Sequence, residues 1–328
     1  MIPVLAAFFV SIVVIALILH VGRAMPLDHP NYRSLHSSPI PRVGGIGVMC
    51  GVTVGWLLGN GLGLGGMLAT ALGLAAVSLI DDFRGLPVAL RFAVQFAAAF
   101  LLVEFVLPAG SGVVASGVAI VAVVWAVNLY NFMDGSDGLA GGMALLGFGA
   151  FGVAAAMGQD WTLALAAWTV AAAAGGFLLF NFHPARVFLG DAGSVPLGFV
   201  AAALGLAGMV REIWPIWFPL LVFSPFVVDS TTTLFRRLLR GEKVWQAHHE
   251  HYYQRMVRSG IGHRDTALIW YAVMLASGLS ACMALALPRT GQLAVLGGWA
   301  VFYAMAGAAV ERRWSAYLSS VRDDRDGE

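Results

Sequence analysis

Five aspartates stand where a chain poor in charge can least easily hold them. Asp81 and Asp82 adjoin in Ile80-Asp81-Asp82-Phe83, Asp134 and Asp137 lie three apart between Asn131 and Leu139, and Asp191 sits in Gly190-Asp191-Ala192-Gly193. Each block lies at the end of an apolar run. A carboxylate at a helix centre in hydrocarbon costs about 2.5–3.5 kcal/mol, so acids at such places usually mark a working site. Adjacent carboxylates oppose each other's ionisation unless a cation separates them. Brought together at one interface, the three blocks would suit a polyanion held through a divalent metal.

The neighbouring residues narrow that chemistry. Glycines 135 and 138 allow close backbone approach, and Asn131 offers a donor and an acceptor for a base edge or sugar hydroxyl. Asp134 and Asp137 would share a face if their turn were helical. Asp191 is a candidate metal ligand, with a buried helix cap as the plain alternative. Phe188 would stack on a base or sit at the interface. A fourth block, His248-His249-Glu250-His251, raises zinc, but no cysteine accompanies it and the nearby acids favour a hard metal. Magnesium binds through one or two carboxylates plus substrate phosphates, which leaves the histidines as phosphate or sugar contacts. Asp229, inside an apolar segment, would pair with another helix or line the cleft.

Hydrophobic residues make up 59% of the 328 and charged residues 11%, against roughly a quarter charged in soluble domains. The chain reads as an all-α polytopic membrane protein with about eleven spans. These fall near 3–20, 44–60, 62–80, 89–107, 112–130, 138–157, 162–180, 194–210, 214–234, 266–287 and 291–310. No linker divides it, so residues 1–328 form one integral-membrane domain. A basic histidine loop is expected over 235–265, with a turn at Gly260-Ile261-Gly262 and Asp265 capping the next helix. A frayed polar tail is expected over 315–328. On this layout 17 of the 19 Lys and Arg residues share one side and only Arg211 and Arg289 face the other. The positive-inside rule makes the first side cytoplasmic, with the N-terminus outside. All three aspartate blocks lie on that side. Cys50 and Cys282 fall within spans, so no disulfide framework is implied.

In this order the blocks resemble the polyprenyl-phosphate N-acetylhexosamine-1-phosphate transferase superfamily, glycosyltransferase family 4. Arg42-Val43-Gly44-Gly45, Asp81-Asp82, Asn131 to Leu139, Phe188 to Ser194, Pro225 to Asp229 and the histidine loop carry the likeness. The resemblance implies transfer of a sugar 1-phosphate from a UDP-N-acetylhexosamine to undecaprenyl phosphate, with release of UMP and a requirement for Mg2+. It implies catalytic roles for Asp81, Asp82 and Asp134, with Asp81 or Asp134 as the base, and Mg2+ ligation by Asp191 and Asp82. Arg42, Asn131, Asp137, Asn181, Phe188, His248, His249 and His251 are the implied substrate contacts. The span count looks like the branch that starts O-antigen and related glycans. The histidine loop is neither the triple histidine of the peptidoglycan branch nor the His-x-His-His of the GlcNAc branch. It looks more like O-antigen transferases that take 6-deoxy-HexNAc donors, so the expected donor is UDP-GlcNAc or a 6-deoxy relative. The implied setting is the bacterial inner membrane, with the active site facing the cytoplasm. Membrane lipid is an expected partner, nucleic acid is not, and a homodimer is left open.

Two rivals were weighed. A secondary transporter would place its acids near the midplane in broken helices, often with inverted repeats, whereas most of these lie at one interface. A CDP-alcohol phosphotransferase would want an arginine where Asp137-Gly138-Leu139-Ala140-Gly141-Gly142 has none.

Overall fold

The computed structural model describes residues 1–22, 26–28, 35, 39–59, 64–243 and 248–326. The expected span limits at 60–63 and residues 244–247 of the histidine loop lie outside them. The described chain is almost wholly helical: α1 (Ile2–Val21), α2 (Gly44–Leu58), α3 (Gly65–Arg84), α4 (Val88–Val106), α5 (Val113–Phe132), α6 (Leu139–Met157) and α7 (Trp161–Asn181) come first. Then follow α8 (Asp191–Val210), α9 (Trp217–Val222), α10 (Ser224–Leu239), α11 (Tyr252–Met256), α12 (Gly262–Ala284) and α13 (Arg289–Asp326). A two-residue ribbon, β1 (Leu27–Asp28) against β2 (Ile40–Pro41), lies between α1 and α2.

The all-α membrane class holds. Nine helical stretches among the described residues are long and apolar enough to cross a bilayer, and α2 is a shorter apolar helix. The span expected over 214–234 is instead two helices that break at Phe223. Pro225, which lacks an N–H, sits in the first turn of α10 and cannot continue the ladder from α9. α3 runs on through Arg84 before Gly85, at φ +66°, ends it, so Asp81 and Asp82 occupy its last turn. The stretch expected to fray from 315 continues as helix to Asp326.

Helices α6, α7 and α8 form the buried centre, while α1, α3, α4, α5 and especially α13 show most of their surface. Small residues set the close contacts of α1, α2 and α7. A β-carbon on Gly51 would lie 2.5 Å from the Ala7 carbonyl, and one on Gly176 would lie 2.6 Å from the Phe8 carbonyl. Such small-residue seams let helices approach where lipid provides no hydrophobic drive. One end of this bundle gathers the finishes of α3, α5 and α7 and the starts of α2, α4, α6, α8 and α12. That end carries the candidate site.

Candidate active site

The first wall comes from the turn between α3 and α4. Asp81 Oδ1 accepts from the Leu86 N–H at 2.5 Å, and its Oδ2 accepts from Arg91 Nη1 at 3.2 Å. Both oxygens are thus engaged, and Arg91 is fixed in the first turn of α4. Asp82 turns the other way. Its Oδ2 accepts from the Ala192 N–H at 3.3 Å, and its Oδ1 lies 4.0 Å from Arg42.

The second wall is backbone docked on backbone. Phe188 N–H donates to Pro41, Gly44 N–H to Phe188 and Gly45 N–H to Leu189, at 2.8–2.9 Å. A β-carbon on Gly45 would lie 2.3 Å from the Gly193 nitrogen, so only glycine lets α2 meet the start of α8 this closely. Gly190, at φ +71°, makes the entry turn beside Asp82. These contacts bring Arg42, Phe188 and Asp191 to one place. Asp191 opens α8, whose cap is Gly190, and it bonds Asn131 rather than serving as the cap.

The turn between α5 and α6 is not helical, so Asp134 and Asp137 do not share a face. Asp134 faces Asp191, Asp82 and Arg42. Burial first, then the Asp191 charge, pushes its carboxyl up to about 8 despite the opposing Arg42. Asp137 turns toward α7's end, where Oδ2 accepts from His183 Nδ1 at 2.7 Å and the Ala185 N–H at 3.1 Å. Asn181 stands behind the wall: its amide accepts from Gly138 N–H and donates to the Val187 carbonyl, which braces the turn.

The histidine loop divides. His248 reaches the site, where burial, then His251 and Arg237, lower its pKa to about 4. His251 is buried, its ring tilted against His248 at 4.8 Å between centroids. His249 faces away from Asp191 into a recess beside Arg240, Glu250 and Trp314, among ion pairs of Glu250 with Arg240 and Arg255. Asp265 lies in the first turn of α12 and does not cap it; the cap is Ile261, after Gly260 at φ +90°.

Two cavities meet here. One, of about 360 Å³, runs between α3, α4 and α5, with Leu74, Val77, Phe92 and Val195 as apolar wall and Asp81 and Arg91 at its inner end. The other, of about 290 Å³, is polar and holds Arg42, Asp134, Asp137 and Phe188. Asn131, Phe132, Asp191, His248 and Gln254 line both. Three of the residues expected from sequence line neither cavity: Asn181, His249 and Asp82, the last held against the start of α8 at Gly190 and Ala192.

Three further residues stand at the site without a signal as plain as the aspartates. Arg91 was readable as a charge in the apolar first turns of α4. Tyr253 donates to the Phe132 carbonyl at 3.1 Å and lines the polar cavity. His263 donates from Nε2 to the Leu35 carbonyl at 2.9 Å, which leaves Nδ1 to accept from the Ser136 hydroxyl at 3.0 Å. Nothing local marks His263, because its partners are over a hundred residues away.

The family model described as Glycosyl transferase family 4 matches residues 64–209. A decaprenyl-phosphate N-acetylglucosaminephosphotransferase of Mycolicibacterium smegmatis is 30% identical, over 74% of this chain and 71% of its own. A probable undecaprenyl-phosphate N-acetylglucosaminyl 1-phosphate transferase of Bacillus subtilis is 27% identical over 86% and 85%. The undecaprenyl-phosphate alpha-N-acetylglucosaminyl 1-phosphate transferase of Escherichia coli K12 is 28% identical over 78% and 74%.

Proposed function

Since the chain belongs to glycosyl transferase family 4, the polyprenyl-phosphate N-acetylhexosamine-1-phosphate transferases, we propose that it moves a HexNAc 1-phosphate from a UDP-sugar to undecaprenyl phosphate. The products are UMP and undecaprenyl-diphosphate-linked sugar. The observation that carries this reading is the pair of cavities joined at Asp191. One between α3, α4 and α5, apolar along Leu74, Val77, Phe92 and Val195 and polar at Asp81, Arg91 and Gln95, suits a lipid phosphate, and a more polar one among the helix ends suits a nucleotide diphosphate. The acceptor phosphate would enter beside Arg91, which supplies positive charge and is held in place by Asp81. Arg42 and His248 would face the donor phosphates.

The residues present fit Mg2+. The site offers hard carboxylate oxygens in Asp82, Asp134 and Asp191, and no preformed cluster of three acidic, His or Cys ligands exists among the described residues. Mg2+ uses one or two carboxylates and takes its remaining oxygens from phosphate and water. Asp191 and Asp82 would hold the ion, which neutralises charge on the diphosphate as phosphoryl transfer demands. Asp134, whose carboxyl is pushed up by burial and by the Asp191 charge, would add a hydrogen bond when protonated or, on ion binding, a further negative charge.

GlcNAc is the favoured sugar because the relatives named above are GlcNAc-1-phosphate transferases; a 6-deoxy relative is the second candidate. The step would open O-antigen or another envelope glycan. The basic loops support a site facing the cytoplasm from the bacterial inner membrane. The test is exchange of labelled UMP into a panel of UDP-HexNAc donors by purified protein with polyprenyl phosphate. Exchange that needs Mg2+ is expected, and no exchange with any donor would overturn the reading.

A further inference from the structure

Among the described residues Asp229 is the most fully engaged buried acid, yet it lines neither of the two joined cavities. It sits on α10 at 1% exposure. Its Oδ1 accepts from His251 Nδ1 at 3.0 Å, from the Tyr252 N–H at 3.0 Å and from Thr233 Oγ1 at 3.1 Å; its Oδ2 accepts from the Tyr253 N–H at 3.2 Å. A carboxylate on one helix therefore caps the start of another, α11, while gripping the imidazole that precedes it. Capping alone would be served by a neutral oxygen. A charge buried at this depth is expensive unless something offsets it. The one partner able to become cationic is His251.

The ring of His251 has little freedom. It lies stacked between Phe132, at 6.2 Å, and Tyr253, at 5.8 Å, and it lines the apolar cavity near Asp191. Two partners compete to set the tautomer: the Gln254 N–H at the start of α11 meets the ring as a donor, whereas Asp229, which as a carboxylate only accepts, holds the proton on Nδ1 and so leaves Nε2 its lone pair. We propose that Asp229 is a positioning residue that presents His251 Nε2 to the acceptor phosphate in the cavity between α3, α4 and α5, which His251 lines. This rests on the transferase reading given above. A phosphate monoester arriving as its monoanion would pass its proton to Nε2: one O–H bond breaks and one N–H bond forms. The resulting imidazolium stays hydrogen-bonded to that oxygen, and Asp229 offsets its charge.

Two measurements decide the matter. In purified protein carrying 15N-histidine, the His251 signal, identified by its loss in His251→Gln, should report the Nδ1–H tautomer. Finding Nε2–H would overturn the proposal, and this arm needs neither activity nor an Asp229 variant. In the transfer assay, Asp229→Asn keeps an accepting oxygen for the cap but removes the charge. Its kcat should fall on the order of a hundredfold, short of what removing the charge of a full triad acid does. The donor KM should move less than threefold. The double variant with His251→Gln should lose no more than His251→Gln alone, because Asp229 acts through that ring. Losses that multiply would show that Asp229 merely holds the fold. A wild-type protein without transfer would sink the transferase reading, while the tautomer would still decide the geometry.

Discussion

The two ends of the helix bundle are built by opposite rules. At the far end the turns are short, and the polar contact that stands out is Asp160, which accepts from the Leu163 N–H at 2.9 Å and from Arg211 at 2.8 Å. Asp160 is the first helix cap of α7, and its bonds are spent on ending a turn neatly. At the site end, acids are gathered rather than dispersed. Asp134, Asp191 and Asp82 lie within reach of one another's charge, opposed chiefly by Arg42. An acid that closes a helix end stabilises the fold by its bonds, whereas acids crowded without enough cations hold the fold at a disadvantage. The second arrangement is one that a bound cation would relieve.

The largest expected effect separates these two kinds of acid. Asp191→Asn should reduce kcat by at least about a hundredfold, the scale for losing one charge-stabilising group, with the melting temperature unchanged or raised. Asp160→Ala should leave kcat within threefold and lower stability by about 1 kcal/mol, the usual value of an N-cap. Steady-state kinetics and thermal melts in detergent check both. If both acids behaved alike, the contrast between the ends would be lost.

A smaller effect sharpens the division inside the site. Arg91→Ala should raise the KM for polyprenyl phosphate about tenfold, as expected for loss of a charge-assisted hydrogen bond of about 1.5–3 kcal/mol partly replaced by water. The KM for the UDP-sugar should stay within twofold, since Arg91 lines only the apolar cavity. Equal shifts in both would merge the two cavities into one functional pocket.

The smallest effect is on pH. His248 titrates near 4 in the folded protein against an ordinary 6.5. As pH falls below about 6.5 the unfolded chain takes up the proton first, so stability present above that value is lost progressively toward pH 4. Replacing the ring with a group that does not titrate removes this component. His248→Gln should therefore lose less melting temperature than the wild type between pH 7 and 5, by a few degrees at most. An identical or steeper fall in the variant would show that His248 is solvated.

The acids were legible in the sequence because a carboxylate beside hydrocarbon is conspicuous in one dimension. Their convergence followed once helices were counted, since alternate span ends share a side. What the sequence could not resolve was direction. His248 and His249 are neighbours with the same chemistry, yet at 248–250, outside any helix, one side chain enters the cavities and the other lies beside the Glu250 ion pairs. Asn181 looked like a ligand contact but is consumed by bracing Gly138 and Val187. The sequence alone leaves Asp229 between two roles because all its partners but Thr233 lie 22–24 positions along the chain. The split of α9 from α10 had its cause in plain view at Pro225, but an apolar run through Phe223 concealed it.

The central claim is that a sugar and one phosphate pass together from the polar cavity to the lipid in the apolar one. It is tested most directly with a UDP-GlcNAc donor labelled both in the sugar and in its β-phosphate, given to purified protein with undecaprenyl phosphate and Mg2+. The account predicts a lipid product carrying both labels in equal amounts, with unlabelled UMP released. A lipid product with the sugar label alone, and β-phosphate left in UDP, would mean transfer of the bare sugar and would contradict it.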